Sequence, residues 1–168
     1  CVIATGNQFS ANQFKKYFNT VPHIIRGSRF SVAILDGKET EDDLKKLSND
    51  IFMYYGLGCR SVSKIYLPKD YDLDIIFKQV YSWKDVINNS SYYNNYTYNK
   101  TIYLMSEEKF FDNGFLILKE SREIGSPIGA VFFEYYENDN TVIKSLKKYS
   151  EKIQCIVGKN IVENSIEF

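Results

Sequence analysis

Residues 31–67 read SVAILDGKETEDDLKKLSNDIFMYYGLGCRSVSKIYL, and this segment predicts two buried strands joined by a helix. The runs SVAIL (31–35) and VSKIYL (62–67) are apolar enough to fill strands that are covered on both faces. Between them, Thr40 precedes three acidic residues that suit the first turn of a helix, because carboxylates complement the positive end of the helix dipole. The apolar face of this helix consists of Leu44, Leu47 and Ile51. The strand–helix–strand order indicates a βαβ unit with parallel strands.

The same alternation continues on both sides of this unit. Further strands are predicted at residues 1–4, 101–105, 115–118, 130–135 and 154–157, and further helices at 10–18, 72–83 and 141–149. The Asn- and Tyr-rich segment 88–99 is predicted to be a polar helix or a loop with half-buried tyrosines. We therefore expect an α/β fold with a three-layer αβα architecture and a mostly parallel sheet.

The composition excludes several classes of protein. The chain has 168 residues, 44% of them hydrophobic and 25% charged, so intrinsic disorder is excluded and the length suits one domain. The 21 basic residues balance 21 acidic ones, which leaves no broad positive field to hold nucleic acid or an anionic membrane. No apolar run approaches the roughly 20 residues that a membrane-spanning helix needs. The function must therefore depend on a local site.

The cysteines and the single histidine argue against a disulfide framework and a metal centre. Cys1, Cys59 and Cys155 are an odd number of widely spaced thiols, which favours free thiols in a reducing compartment. With His23 as the one imidazole and no CxxC or HxxxH pair, we predict no metal site. The chain begins in mid-strand without a methionine, so we expect it to be part of a longer polypeptide.

Cys59 is the candidate nucleophile. It lies in GLGCRS (56–61), where glycines allow a ligand to approach the backbone and Arg60 favours the thiolate. The alternative is a buried thiol that acts as a small hydrophobe, and for Cys155, inside an apolar strand, that interpretation is preferred. His23 would have to fold back onto Cys59 to act as an acid or base, and the segment 22–26 can equally be a loop.

Two further segments contain candidate binding residues. Gly6 and Asn7, in the predicted strand-to-helix turn TGN (5–7), can present backbone amides to a phosphate, although many ordinary βα turns look similar. Glu123 precedes a Gly-Ser-Pro turn, where a carboxylate can hold ribose hydroxyls or can simply be solvated.

The order of these pieces resembles the aldehyde dehydrogenase superfamily. VIATGN (2–7) is similar to its cofactor-contacting TGS-type turn, GLGC (56–59) to its GQxC-type nucleophile loop, and REIGSP (122–127) to its E-I-F-G-P loop. Within the superfamily, the chain is more similar to the acyl-CoA reductases related to the LuxC fatty-acyl reductase of bacterial bioluminescence. That resemblance extends from Cys1 to about Val162 and includes PHIIRGSRFSVAIL (22–35), DIFMYYGLGCRSVSKIYLP (50–68), YNNYTYNKTIYL (93–104) and DNGFLILKE (112–120).

The resemblance implies a two-stage reaction. The Cys59 thiolate would attack an acyl-CoA thioester and expel coenzyme A, and hydride from NADPH would then release the acyl group as an aldehyde. Backbone amides near Cys59 would help to hold the oxyanion. Gly6 and Asn7 match the cofactor turn, and Glu123 matches the glutamate that contacts the nicotinamide ribose.

The resemblance also implies a domain division and a cellular setting. Residues 1–20 would be the tail end of a dinucleotide-binding domain and residues 21–168 the catalytic, nucleophile-bearing domain, similar to that of aldehyde dehydrogenases. The expected location is the cytoplasm, and the expected partners are acyl-CoA, an acyl-transfer protein and a second copy in a homodimer.

Three departures from the pattern bear on the chemistry. Residues 23–28 lack the glutamate that activates water in oxidising aldehyde dehydrogenases, which favours reduction. Asn7 replaces a serine, and Gly125 replaces a phenylalanine that packs near the nicotinamide.

The sequence does not determine whether the cofactor is NADPH or NADH, how long the acyl chain is, or which molecule donates the acyl group. The competing hypotheses are an aldehyde-oxidising dehydrogenase and a non-catalytic interaction domain with Cys59 as a core thiol.

Overall fold

The computed structural model describes residues 1–158, so the end of the predicted 21–168 domain, residues 159–168, lies outside the described residues. The strands are β1 (Val2–Thr5), β2 (His23–Arg26), β3 (Phe30–Ile34), β4 (Val62–Pro68), β5 (Phe111–Asp112), β6 (Ile117–Glu120), β7 (Ala130–Tyr136) and β8 (Ile153–Val157). The α-helices are α1 (Gln8–Tyr17), α2 (Glu41–Phe52), α3 (Leu73–Val80), α4 (Ser90–Met105) and α5 (Asp139–Lys148).

Six strands form the main sheet, in the order β5-β6-β7-β4-β3-β8. All neighbours in it are parallel except β5 and β6, which confirms the predicted α/β fold with a mostly parallel sheet. Apolar side chains of α2, α3 and α4 pack on one face of the sheet, whereas Val142 and Leu146 of α5 pack on the other. Helices on both faces make the three layers that a parallel sheet requires.

The segment at residues 22–26, for which a loop was one interpretation, forms strand β2. It pairs in parallel with β1, from Val2 opposite His23 to Thr5 opposite Arg26, in a separate two-stranded sheet. Helix α1 packs beside this pair and contributes the buried Ala11. The small sheet therefore stands next to the main sheet and brings the β1–α1 turn towards it.

The predicted strand at residues 101–105 is wrong, because this segment is the last turn of α4. The buried residues of α4 recur at helical spacing, at Tyr92, Tyr96, Asn99 and Tyr103. Tyr92 Oη donates a hydrogen bond to the Phe115 carbonyl (2.9 Å), and Asn99 Nδ2 donates to the Ile128 carbonyl (3.1 Å). Packing of this aromatic face overrides the local β propensity of TIYLM.

Other boundaries differ less. The predicted helix 72–83 is α3 followed by a 3₁₀ helix at Tyr81–Asn88, and the predicted strand 115–118 begins two residues later as β6. Strand β5 was not predicted, since two residues are too few to show a periodicity. Within residues 1–158, every helix is too short or too polar to cross a membrane.

Candidate active site

A cavity of about 380 Å³ lies between the small sheet and the main sheet. Four segments that are distant in sequence line it: the end of β1, the connection from β2 into β3, the loop before β4 together with the start of β4, and the segment between β6 and β7. Its lining consists of Thr5, Gly6, Gly27, Ser28, Arg29, Phe30, Gly56, Leu57, Gly58, Cys59, Ser61, Ser63 and Ser126. The volume falls within the range of small-molecule sites.

Cys59 lines this cavity from the loop that follows helix α2. The start of α2 is held by a capping box, in which Thr40 Oγ1 accepts from the Asp43 N–H (3.2 Å) and the Asp43 carboxylate accepts from the Thr40 N–H (2.9 Å). The apolar side chains of Leu47, Ile51 and Phe52 are buried, and their packing fixes the C-terminal end of α2. The predicted helix and its cap are thereby confirmed.

The loop after α2 is held by backbone contacts and leaves the thiol accessible. Ser31 Oγ, buried at the start of β3, donates to the Cys59 carbonyl (2.9 Å), and the Ser61 N–H donates to the Gly58 carbonyl (3.0 Å). The Cys59 side chain is exposed at the cavity. Cys59 is therefore not a core thiol.

Of the residues predicted to bind a cofactor, Gly6 shares the cavity with Cys59 and Asn7 does not line it. A Cβ atom at Gly6 would lie 2.9 Å from Ser10 Cβ, so glycine lets helix α1 begin close to the turn. Asn7 is the N-cap of α1, and its Oδ1 accepts from the Ser10 N–H (2.8 Å). The side chain of Asn7 therefore serves the helix terminus.

Glu123, His23 and Cys155 lie away from the cavity lining. Glu123 is exposed, in the segment between β6 and β7. His23 is exposed on β2, where Nδ1 donates to the Val21 carbonyl (2.9 Å), so the ring does not fold back onto Cys59. Cys155 is half-buried on β8, the last strand on that side of the sheet within residues 1–158, rather than in the core.

Arg29, Phe30, Ser63 and Ser126 line the cavity and were missed in the sequence. Arg29 gives the cavity a positive charge, and Ser63 Oγ donates to the Ile124 carbonyl (3.4 Å), which ties β4 to the segment containing Glu123. One signal was available: Ser63 and Lys64 are polar residues in an otherwise apolar strand. Arg29, Phe30 and Ser126 have no comparable signal, because only the tertiary structure brings them to the cavity.

The lining, as formed by residues 1–158, contains neither a carboxylate nor an imidazole. Nor do three or more His, Cys, Asp and Glu side chains gather into a metal-binding group in this part of the chain. The cavity therefore combines a thiol, a guanidinium, hydroxyl groups and several glycines.

No family model and no curated protein matches the sequence, but solved structures share its fold. The indole-3-acetaldehyde dehydrogenase of P. syringae, in complex with NAD+ and IAA, superposes with a TM-score of 0.70 at 8% identity, over 94% of this chain and 39% of its own. The aldehyde dehydrogenase KauB of Pseudomonas aeruginosa gives 0.69 at 11% identity, over 93% of this chain and 39% of its own. An NAD-dependent aldehyde dehydrogenase of Sinorhizobium meliloti gives 0.67 at 8% identity, over 94% and 38%.

These similarities show that the chain has the fold of a portion of the aldehyde dehydrogenases. The chain spans about two fifths of the length of each of these three solved structures.

Proposed function

We propose that this chain is the nucleophile-bearing part of an NADPH-dependent acyl-CoA reductase that forms a thioester on Cys59. The observation that carries the proposal is the shared cavity, where the exposed Cys59 thiol and the Gly6 turn lie together with no carboxylate or imidazole among the described lining residues. The aldehyde-dehydrogenase fold supports aldehyde oxidoreductase chemistry at this place.

Cys59 performs the first stage. Its thiolate adds to the thioester carbonyl of acyl-CoA, the bond to the CoA sulfur breaks, and coenzyme A leaves as a thiolate. Arg29 adds a positive charge to the cavity in which the negative charge develops. The product is an acyl group on Cys59 Sγ.

The cavity fits the nicotinamide end of a dinucleotide. Gly6, Gly27, Gly56 and Gly58 line it, so a ligand can approach the backbone without meeting side chains. Thr5, Gly6 and Gly27 would hold the cofactor beside Cys59. When bound, the cofactor would supply a hydride to the carbonyl carbon of the acyl group. The bond from that carbon to Cys59 Sγ then breaks, so that the aldehyde leaves and Cys59 returns to its thiolate form. On the resemblance, we propose that Glu123 binds the nicotinamide ribose, although its side chain is exposed and outside the cavity lining. We propose that Asn7 contacts the cofactor through its backbone.

The composition of the lining favours reduction over hydrolysis. Hydrolysis of an acyl-cysteine needs a general base within hydrogen-bond reach of water, and among the described lining residues no such base is present. The acyl group on Cys59 therefore survives long enough to be reduced. This argument distinguishes the proposal from aldehyde oxidation, in which the acyl group leaves as a carboxylic acid.

We propose the domain division and partners on the same basis. Residues 1–20 belong to the end of a dinucleotide-binding domain and residues 21–168 to the catalytic domain, and the pairing of β1 with β2 crosses this boundary. The acyl donor is acyl-CoA or an acyl-transfer protein, the enzyme is a homodimer, and its free thiols suit the cytoplasm.

The first test is to incubate the purified full-length protein with acyl-CoAs of several chain lengths and to locate adducts by peptide mass spectrometry. We expect an acyl adduct on the peptide containing Cys59. Cys59→Ser should lose it, and the matched variant Cys155→Ser should retain it. Absence of an adduct from the wild-type protein would contradict the proposal and favour a non-catalytic domain.

A second measurement separates reduction from oxidation and identifies the cofactor. The acylated protein is mixed with NADPH or NADH, and aldehyde release is followed. We expect release of aldehyde with NADPH and little carboxylic acid. Formation of NAD(P)H from added aldehyde and water, with release of the acid, would instead support the aldehyde-oxidising alternative.

A further inference from the structure

Cys59 occupies a central position of a tight β-turn. The Ser61 N–H donates to the Gly58 carbonyl (3.0 Å), and this hydrogen bond makes residues 58–61 a β-turn with Cys59 and Arg60 in its middle. Neither Cys59 nor Arg60 is among the non-glycine residues with positive φ. Type II and the primed turns each need a positive φ at a central position, so this turn is of type I.

Ser31 holds the central peptide of this turn. Ser31 is fully buried, and its Oγ donates to the Cys59 carbonyl (2.9 Å). Within residues 1–158, this is the one hydrogen bond that ties residues 58–60 to another element. The turn that contains the thiol is therefore attached to the sheet through a single hydroxyl group.

That hydrogen bond selects one of two turn conformations. In a type II turn the central peptide is turned over, so the Cys59 carbonyl would point away from Ser31 and the bond would be lost. Arg60 acts in the same direction, because type II needs a positive φ at that position, which is unfavourable for a residue with a Cβ atom.

Strand pairing is irregular at Ser31 on both of its sides. Ser31 pairs with Val62 on β4 and with Cys155 on β8, and the register shifts by one residue directly after Ser31 towards β4 and directly before it towards β8. Such bulges re-aim side chains and are frequent next to active sites. The irregularity lies at the residue that bonds to the nucleophile's carbonyl.

We propose that Ser31 is a positioning residue for Cys59 and that its hydroxyl keeps the turn in the type I conformation from which the thiolate attacks. The inference rests on the proposed function, because it assumes that Cys59 takes the acyl group of acyl-CoA. Ser31 is buried and outside the cavity lining, so it acts through Cys59 and not on the substrate. Misplacement of a reacting group by about 1 Å can cost about 10²-fold in rate, so fixing this turn matters for acylation.

The first test compares two reactions of the Cys59 thiol in the full-length protein. For Ser31→Ala we expect the rate of acylation at saturating acyl-CoA to fall about fivefold, because the thiolate is aligned in fewer molecules. The half-saturating concentration of acyl-CoA should stay within about twofold of wild type, because the binding surface is intact. Alkylation by iodoacetamide should also stay within about twofold, because this reagent is not held in the cavity and needs no fixed alignment.

Ser48→Ala is the matched control. Ser48 is similarly buried, and its Oγ donates to the Leu44 carbonyl (2.8 Å) within helix α2. Its loss removes the same kind of hydrogen bond without touching the Cys59 turn, so neither reaction rate should change.

A second test uses the resistance of Arg60 to type II. Arg60→Gly removes that resistance, whereas Arg60→Ala removes the same charge and keeps it. With Ser31 intact, the two single variants should acylate at similar rates. Combined with Ser31→Ala, the glycine variant should acylate about tenfold more slowly than the alanine variant, because only glycine then lets the central peptide turn over.

The outcomes distinguish failure of this inference from failure of the proposed function. Suppose that wild-type Cys59 is acylated but Ser31→Ala keeps the wild-type rate, or its alkylation falls as much as its acylation, or the two double variants acylate equally. The positioning role is then wrong and the reductase proposal survives. If wild-type Cys59 is never acylated, the proposed function itself fails.

Discussion

Two tyrosines next to the nucleophile loop adopt left-handed backbone conformations. Tyr54 has φ 55° and ψ 30°, Tyr55 has φ 59° and ψ 28°, and Gly56 follows with φ 73°. For a residue with a Cβ atom this conformation costs about 1–2 kcal/mol. This turn lies between α2 and the loop of Cys59, so the surrounding fold maintains backbone strain a few residues before the candidate nucleophile.

Replacing one of these tyrosines by glycine should stabilise the protein. The Tyr54 side chain is 76% exposed, so Tyr54→Gly removes little packing, and we expect the free energy of unfolding to rise by about 0.5–1 kcal/mol after the entropy cost of glycine. Tyr98, 65% exposed within α4, is the matched control, and Tyr98→Gly should lower stability by about 1 kcal/mol. Chemical denaturation measures both. Equal losses in the two variants would show that the turn is unstrained.

Strands β4 and β7 are connected by a buried ion pair. Lys64 Nζ, fully buried, donates to Glu134 Oε2 (2.6 Å) and to the Ser121 carbonyl (2.5 Å). Burial lowers the pKa of Lys64, and the hydrogen bond from its ammonium to Glu134 opposes that shift. The lysine therefore links two strands and the start of the segment that contains Glu123.

Removing only the carboxylate should leave a costly buried charge. We expect Glu134→Gln to lower the free energy of unfolding by about 3 kcal/mol, at the low end for buried pairs because a quarter of the Glu134 side chain is exposed. The double variant Lys64→Met/Glu134→Gln removes both charges and should recover most of this loss. Urea unfolding of the single and double variants gives the coupling energy. A double variant as unstable as Glu134→Gln would mean that the stability loss does not come from the unpaired ammonium.

At the scale of the molecule, ion pairs join segments that are distant in the sequence. Within residues 1–158, such pairs besides Lys64–Glu134 include Lys69–Glu137, Lys100–Asp112 and Lys119–Glu108. The pair of Lys100 and Asp112 (2.5 Å) connects α4 to β5, at the edge of the sheet. Partial burial alone would raise the pKa of Asp112, but hydrogen bonds from Lys100, Tyr96 and the Gly114 N–H outweigh it and lower the pKa below 3.8.

The lowered pKa predicts how stability depends on pH. A carboxyl group with a depressed pKa in the folded state contributes stability above its unfolded pKa, near 3.8, and loses it as the pH falls through the lower folded value. We expect Asp112→Asn to lower the free energy of unfolding by about 1 kcal/mol at pH 7, and the difference from wild type to shrink as the pH falls below the unfolded pKa and through the lowered folded pKa of Asp112. Glu137→Gln, in the exposed pair with Lys69, should change stability by less than about 0.5 kcal/mol. A pH-independent effect of Asp112→Asn would contradict the assignment.

The elements with a local signal were predictable from the sequence alone. The apolar runs of β3, β4 and β7, the capped helix α2 and the loop that contains Cys59 are visible in it, because strand and helix periodicities and capping extend over only a few residues. The resemblance to the aldehyde dehydrogenase superfamily depended on the order of the same segments.

The features that join distant residues depend on packing between elements and were not predictable from the sequence. Segment 101–105 has the composition of a strand, but the burial of Tyr92, Tyr96 and Tyr103 against the sheet extends α4 through it. Gly6 and Cys59 are 53 positions apart in the sequence, yet they line one cavity because the β1–β2 sheet packs beside the main sheet. The hydrogen bond from Ser31 to the Cys59 carbonyl is a contact of the same kind. Packing between elements brings these groups together, and no local pattern of residue types encodes it.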